Sequence, residues 1–298
     1  MTTSFETLSH ALSEIITQTS GSVVAIQGRR SASTGIHWRK GLIVTSCEAL
    51  AQDHNLTLHF PNGQTVKTEL LGSDPTTDVA ILALPEGYDL PVVTIGDAQA
   101  LALGQLVSTV GRSARRGVFT SLGMVSQVSG PWRSQRGGQI DQRIIVDLRL
   151  ARGSAGCPLI DASGKVVGFN TFGPRRKILT IPASTVDKVV DQLQQRGKIA
   201  RGYLGLGMQT VPLPENIQQQ HKLGNQSGIM VVSVDPGSAA DQAGMLLGDV
   251  MVKINDDILE SLPQIQALLG PSSVGQTFNV ILLRGGQLQT VAVTVGER

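Results

Sequence analysis

Between residues 23 and 182 the chain is a succession of short β runs broken by turns, and this constrains its fold more than any other feature. The runs VVAIQG, GLIVTS, LTLHF, KTELLG and VAILAL come first; LVSTVGR, SLGMVSQVSG, QRIIVDL, CPLIDASGKVVGFNT and ILTIP follow. Stretches such as PNGQT (61–65) and DASGK (161–165) carry the residue types that make tight turns between strands. The 34 glycines agree with a β architecture rich in turns. Helical spacing occurs at Phe5, Leu8, Leu12, Ile15 and Ile16, which predicts an amphipathic N-terminal helix. It recurs at Val186, Val189, Val190 and Leu193, in a helix expected from about Ala183 to Gln195. Strands dominate up to Pro182, so a mainly β domain is expected there.

A chain of 298 residues has room for two or more domains, and 41% hydrophobic residues suffices for packed cores. A net charge of +2 and 3% aromatic residues give no nucleic-acid footprint, which needs a basic stripe or a stacking platform. Arg115 and Arg116, and the PRRK tract at 174–177, read as solvated loops. Two cysteines make no disulfide framework, and no Cys/His cluster has metal-ligand spacing, so neither a metal nor a cofactor is expected. The stretch MTTSFETLSHALSEIITQTSG lacks a basic start and a long apolar centre, so it reads as neither a signal peptide nor a membrane span. A cytoplasmic protein is expected on that ground.

Three separated motifs carry chemistry. Residues 152–171, RGSAGCPLIDASGKVVGFNT, resemble the nucleophile loop of a trypsin-fold serine protease, where Gly-x-Ser-Gly-Gly-Pro sets a serine hydroxyl beside the N–H groups that bind the oxyanion. Gly153, Ser154, Ala155, Gly156, Cys157 and Pro158 fill that register, with Ala155 in the serine slot. STGIHWRKGLIVTSCEAL (33–50) resembles the strand pair ending in Thr-x-x-His: Thr45 matches, and Glu48 holds the base position. GSDPTTDVAILAL (72–84) resembles an Asp-Pro-x-Thr-Asp-Leu-Ala-Val-Leu run and puts the orienting carboxylate on Asp78. Over about residues 20–298 the chain resembles the HtrA/DegP family. The resemblance implies a trypsin-like double β-barrel followed by a PDZ domain (α+β), with the amphipathic helix in front, packed on the barrel or at a subunit contact. The expected layout is an N-terminal helix at 1–19, a degenerate protease domain at 20–196, a linker at 197–202 and a PDZ domain at 203–298.

That register leaves Glu48, Asp78 and Ala155 at the triad positions and no catalytic residue. A methyl group cannot attack a carbonyl, and enzymes stripped of triad members keep only about 10³–10⁴-fold over water. Rescue by Ser154, Cys47 or Cys157 needs a base, and none of His10, His37, His54, His59 and His221 is in register. Close carboxylates at 48 and 78 would raise one pKa or recruit a cation, and Arg152 is the expected partner of Glu48. Cys47 and Cys157 both flank this region; free thiols are expected in a reducing compartment, with a redox-sensitive bond as the alternative.

In the C-terminal part, Tyr203, Leu204, Gly205 and Leu206 resemble the carboxylate-binding loop of an HtrA PDZ domain, and SGIMVVSVDPGSAADQAGMLLGDVMVKIND (227–256) resembles its core. SLPQIQALLG (261–270) is expected as a helix walling the groove, with Ile265 and Leu268 lining it. The resemblance implies peptides or protein C-termini as partners, added as a β-strand, and a homo-oligomer such as a trimer. Three functions follow: a pseudoprotease acting as scaffold, chaperone-like binder or regulator; an endopeptidase with an atypical centre; and a non-catalytic subunit assembled with an intact homologue. The first is the expectation carried forward.

Overall fold

The computed structural model describes residues 4–297 apart from 51, 52, 54, 135, 152, 174–176, 197, 198, 200, 201, 271 and 272. The chain divides into two compact units, 1–199 and 200–298. The first opens with helix α1 (Ser4–Ser20) and continues through β1 (Val23–Gln27), β2 (Ala32–Arg39), β3 (Leu42–Ser46), β4 (Leu56–His59), β5 (Thr65–Thr68), β6 (Leu70–Asp74) and β7 (Val79–Ala83). A four-residue helix, α2 (Cys47–Leu50), follows β3. These strands form one antiparallel sheet in the order β5-β4-β1-β2-β3-β7-β6. Then come β8 (Leu106–Ser113), β9 (Gly117–Ser129), β10 (Trp132–Arg133), β11 (Gln139–Ile140), β12 (Arg143–Val146), β13 (Cys157–Ile160), β14 (Val166–Phe172) and β15 (Ile178–Pro182). Six of them close into a barrel, β12-β15-β14-β13-β8-β9, while β10 and β11 pair as a separate hairpin. Helix α3 (Ala183–Arg196) follows.

Successive side chains of a strand point to opposite faces, and here both faces are covered. In β3 every residue is buried. Leu42 and Val44 join Trp38, Val79, Phe169 and Ile181 in a core that α3 also enters, whereas Ile43 turns the other way onto Val24, Ile26, Leu58 and Leu82. A strand buried on both sides reads as a continuous apolar run, which is why GLIVTS and VAILAL do not alternate.

Helix α3 places Val186, Val189, Val190 and Leu193 in the shared core. Each such burial contributes about 1.5–3 kcal/mol. Polar contacts fix its position: Trp38 Nε1 donates to Asp187 at 2.9 Å, and the Arg39 guanidinium donates to Asp187 at 2.6 Å and Asp191 at 2.5 Å. The stripe of α1 is seated only in its second half. Ile15 and Ile16 pack against the core, but Phe5 and Leu8 are 79% and 44% exposed. Arg112 fastens the helix end by donating to Ser20 O at 2.9 Å and Val23 O at 2.8 Å.

The second unit contains β16 (Gly202–Tyr203), β17 (Leu206–Pro212), α4 (Glu215–His221), β18 (Ser227–Val234), α5 (Ala239–Gln242), β19 (Val250–Ile254), β20 (Asp257–Ile258), α6 (Leu262–Leu268), β21 (Thr277–Arg284), β22 (Gln287–Thr294) and β23 (Gly296–Glu297). Its sheet runs β17-β18-β19-β21-β22, with β20 on β19, so β17 is an edge strand; β16 pairs with β23. Of its three short helices, α5 and α6 start at serine caps. The Ser238 hydroxyl accepts from Asp241 N–H, and Ser261 forms a capping box with Gln264. The expected linker reached 202, but Gly202 pairs with Glu297; positions 197, 198, 200 and 201 lie outside the described residues.

Candidate functional site

The turn DPTTD shapes the site. Asp74 is buried and accepts from the Thr76 N–H (3.0 Å) and from the hydroxyls of Thr76 and Thr77 (both 2.7 Å). Asp78 then takes a left-handed backbone, φ 62, a conformation that aspartate tolerates better than most residues. This conformation presents both its carbonyl and its carboxylate to the end of β3. The carbonyl accepts from Cys47 N–H at 3.1 Å. The carboxylate accepts from Glu48 N–H at 2.7 Å, Ser46 Oγ at 2.8 Å and Thr171 Oγ1 at 2.5 Å. Asp78 thus caps the short helix α2, and none of these donors is an imidazole. Burial is the main cause that pushes its carboxyl above the usual range; the three donors oppose it and the nearby Glu48 charge adds to it.

Glu48 itself is exposed and meets Arg136 Nη2 at 3.4 Å. Its expected partner, Arg152, lies outside the described residues; the cation that the structure gives Glu48 comes instead from the β10–β11 hairpin. That hairpin is clasped to the DPTTD turn. Ser134 Oγ donates to Thr76 O at 2.5 Å and Arg136 Nη1 to Pro75 O at 3.3 Å. Ser46, Thr171 and Arg136 were not singled out from sequence, because they lie 32, 93 and 88 residues from the carboxylates they meet.

At the nucleophile register, Ala155 is 6% exposed and its carbonyl accepts from Thr34 N–H at 3.0 Å. Gly153 and Gly156 are both left-handed, φ 82 and 86. At Gly156 a Cβ would stand 2.2 Å from Thr34 O, so only glycine fits the close approach. Ser154 donates its N–H to Ala151 O at 3.2 Å, and its hydroxyl is fully buried with no partner among the described residues. Both cysteines are free. Burial pushes the Cys157 thiol up to about 12, against its hydrogen bonds with Thr34 and Thr109. Burial also raises the Cys47 thiol, which lies by Ser73. Their neighbours differ, and no bond joins them.

The described histidines lie elsewhere. His37 is buried in β2 with Nδ1 2.7 Å from Leu90 O. His221 Nε2 is 2.8 Å from Gly286 O in the second unit. His59 is in β4 and His10 on α1. His54 lies outside the described residues. No three His, Cys, Asp or Glu side chains gather into a metal-holding group among the described residues.

In the second unit, the Tyr203 hydroxyl donates to Asp235. Leu204 O accepts from Ala240 N–H at 2.9 Å and Gly205 O from Asp235 N–H at 2.8 Å. Gly205 has φ 79, and a Cβ there would come within 2.1 Å of Ser238 Cβ. Leu206 opens the edge strand β17, and α6 lies against that strand. The expectation for Ile265 needs correction. It is fully buried in the core beside Leu204, so its side chain has no face for a ligand. Leu206 and Leu268 are half-buried and remain available at the surface.

Comparison with known proteins agrees with this division. A trypsin-like peptidase domain matches residues 33–169 and a PDZ domain residues 202–295. A probable periplasmic serine endoprotease DegP-like of Halomonas elongata is 28% identical over 276 residues, covering 90% of this chain and 57% of that protein. The serine protease Do-like HtrB of Bacillus subtilis is 29% identical over 279 residues, covering 87% and 60%. The chain therefore spans little more than half the length of these relatives. Among solved structures, a serine endoprotease from Yersinia pestis superposes with a TM-score of 0.73 at 25% identity, covering 96% of this chain and 97% of that one. An HtrA-type protease AlgW with decapeptide does so at 0.73 and 21% identity, covering 96% and 98%. These names overturn the cytoplasmic expectation: the Halomonas relative and its counterpart in Rhizobium meliloti are both named periplasmic. The composition of residues 1–21 reports a helix and carries no compartment. No helix among the described residues is long and apolar enough to cross a membrane. The two matched domains, in this order and on this mainly β fold, make the chain an HtrA/DegP-like, trypsin-fold serine protease homologue with a PDZ domain.

Proposed function

We propose that this chain binds polypeptide without hydrolysing it: a pseudoprotease whose PDZ unit takes peptides or protein C-termini along the open edge of β17. The observation that carries the proposal is the environment of Asp78. Its oxygens are occupied by two hydroxyls and one backbone N–H, Glu48 stands where a base would be, and Ala155 offers only a methyl group. A triad works by passing a proton from nucleophile to an imidazole base; here position 155 has no hydroxyl to give one up and position 48 has no imidazole to take it.

In the PDZ unit, an arriving strand would pair with β17, while Gly205 lets the backbone at Leu204–Leu206 turn its N–H groups toward a terminal carboxylate. Leu206 and Leu268 would contact the last apolar side chain. Hydrolysis through an atypical centre is the second reading and draws on the relatives' names. The buried Ser154 hydroxyl and the raised thiols of Cys47 and Cys157 weigh against it.

The test is digestion of unfolded casein by the native chain beside the double variant Glu48→His, Ala155→Ser. Casein left intact by the native chain and cut by the variant is the expected result. Cleavage by the native chain that is lost on Ser154→Ala or Cys157→Ala would establish the second reading. Amidating an apolar-ended peptide should weaken its binding at least about tenfold, the loss of one charge-assisted contact.

A further inference from the structure

Beside Asp78 a cleft of about 810 Å³ opens within the first unit, between the β10–β11 hairpin, the DPTTD turn and β12, β14 and β15. Its walls carry four cationic side chains, Arg133, Arg136, Arg143 and Lys177, against two carboxylates, Glu48 and Asp78. The carboxylates do not balance the cations. Asp78 is closed in by its three donors, and among the described residues Glu48 pairs with Arg136. That pair is more than half exposed on both sides, 57% and 60%, so it is weak and open to exchange. Arg143 lies 5.5 Å over the Trp132 ring, held in place by a cation–π contact. Neither Arg143 nor Lys177 meets a carboxylate among the described residues. The same walls present Trp132, Phe172, Ile178 and Leu179, an apolar floor between the charges.

We infer that this cleft is a second polypeptide site, selective for an acidic segment with apolar residues between its carboxylates. The inference deepens the proposed function and rests on it, since a chain that is not cut can stay in the cleft. Charge complementarity selects the occupant: the guanidinium and ammonium groups that meet no carboxylate among the described residues call for one, and the aliphatic and aromatic floor calls for side chains rather than a phosphate backbone. A nucleic acid fits the floor poorly, and the whole chain, at +2, has no long-range field to gather one. An incoming carboxylate can take Arg136 from Glu48, which leaves Glu48 solvated at its exposed position.

The experiment uses the full chain and fluorescein-labelled peptides followed by anisotropy. One peptide alternates glutamate with leucine, the other lysine with leucine, and both are C-terminally amidated so that the PDZ unit has no terminal carboxylate to hold. The acidic peptide should bind at least about tenfold more tightly than the basic one, and more weakly as salt rises. Arg143→Glu with Lys177→Glu should weaken it by about tenfold or more. Arg143→Gln with Lys177→Gln should give a smaller loss, and keeps the test alive if the reversal disturbs folding. Equal binding of the two peptides, or acidic binding untouched by both pairs of substitutions, overturns the inference. Displacement of the acidic peptide by a single-stranded oligonucleotide in preference to unlabelled acidic peptide also overturns it, in favour of a general polyanion site. Failure of the proposed function looks different: it appears as casein cleavage or as indifference to a free C-terminus.

Discussion

Each unit withdraws an aspartate from solvent at a turn leading into a strand, half-buried at 78 and fully buried at 249, and the two are solved by opposite means. In the first unit Asp78 accepts from two hydroxyls and one peptide N–H, all neutral. In the second, Asp249 is 1% exposed and takes Arg284 in a two-pronged contact, Nε at 2.8 Å and Nη2 at 2.7 Å, plus Leu246 N–H at 2.8 Å. Both have three donors, yet their carboxyls shift in opposite directions. Burial, the largest influence on both, wins at Asp78 and raises it. At Asp249 burial is overcome by the Arg284 hydrogen bonds, the Leu246 N–H and the Arg284 charge, and the carboxyl falls below its usual range. Neutral donors also favour the ionised carboxylate, but at Asp78 they fall short of offsetting the loss of water, whereas at Asp249 the donors that include a partner of opposite charge exceed it. The PDZ unit uses its aspartate as a structural tie, whereas the first unit holds one that is costly to ionise beside an open cleft.

The comparison can be broken most forcefully at Asp249. Asp249→Ala should remove about 3 kcal/mol from the second unit, because it strands a partly buried guanidinium. Hydrogen exchange at the β19 and β21 amides reads that loss directly, and a loss below about 1 kcal/mol would show that water replaces the carboxylate.

Acid should separate the two groups next. Asp249 has a depressed folded value, so its stabilisation is present above the unfolded carboxylate pKa and is lost as pH falls through the folded value. Asp78 has a raised folded value, so its contribution is greatest below the unfolded pKa and is lost as pH rises through the folded one. Unit-resolved denaturation across the carboxylate range should therefore show opposite slopes from these two groups. The slope assigned to each should vanish in Asp249→Asn and Asp78→Asn respectively.

Asp78→Asn itself should cost about 1 kcal/mol at neutral pH, since an amide oxygen still receives the hydroxyls while Glu48 N–H loses its acceptor. A loss several times larger would mean that the carboxylate's charge holds the α2 turn together. Glu48→Gln sits at the bottom of the scale. Breaking an exposed pair with Arg136 should change stability by less than about 0.5 kcal/mol, measured in the same denaturation.

Much of this contrast is legible in residues close together in the chain. The DPTTD turn marks Asp78, and GDVMVKIN marks the turn before β19. What escaped was every partner at long range. Thr171 closes the very stretch that suggests a nucleophile loop, yet nothing local ties it to Asp78. Arg136 sits in a hairpin with no chemical motif of its own, while Arg152 lay temptingly beside Gly153. Ile265 shows a second limit. In a short helix, an apolar residue that lines a groove and one that plugs the core have the same spacing, and only the packing of β17 and the sheet against α6 tells them apart.

What the amino acids determined by themselves is covalent and local: β runs between turns, glycines where the backbone must go left-handed, and a methyl group at 155 that no fold can turn into a nucleophile. What the tertiary structure alone decided is which neutral or charged group faces each carboxylate. The strand registers bring together residues 30 to 93 positions apart around Asp78. The sign of a buried group's pKa shift depends on that assembled environment, because burial and opposing charge act through space and not along the chain.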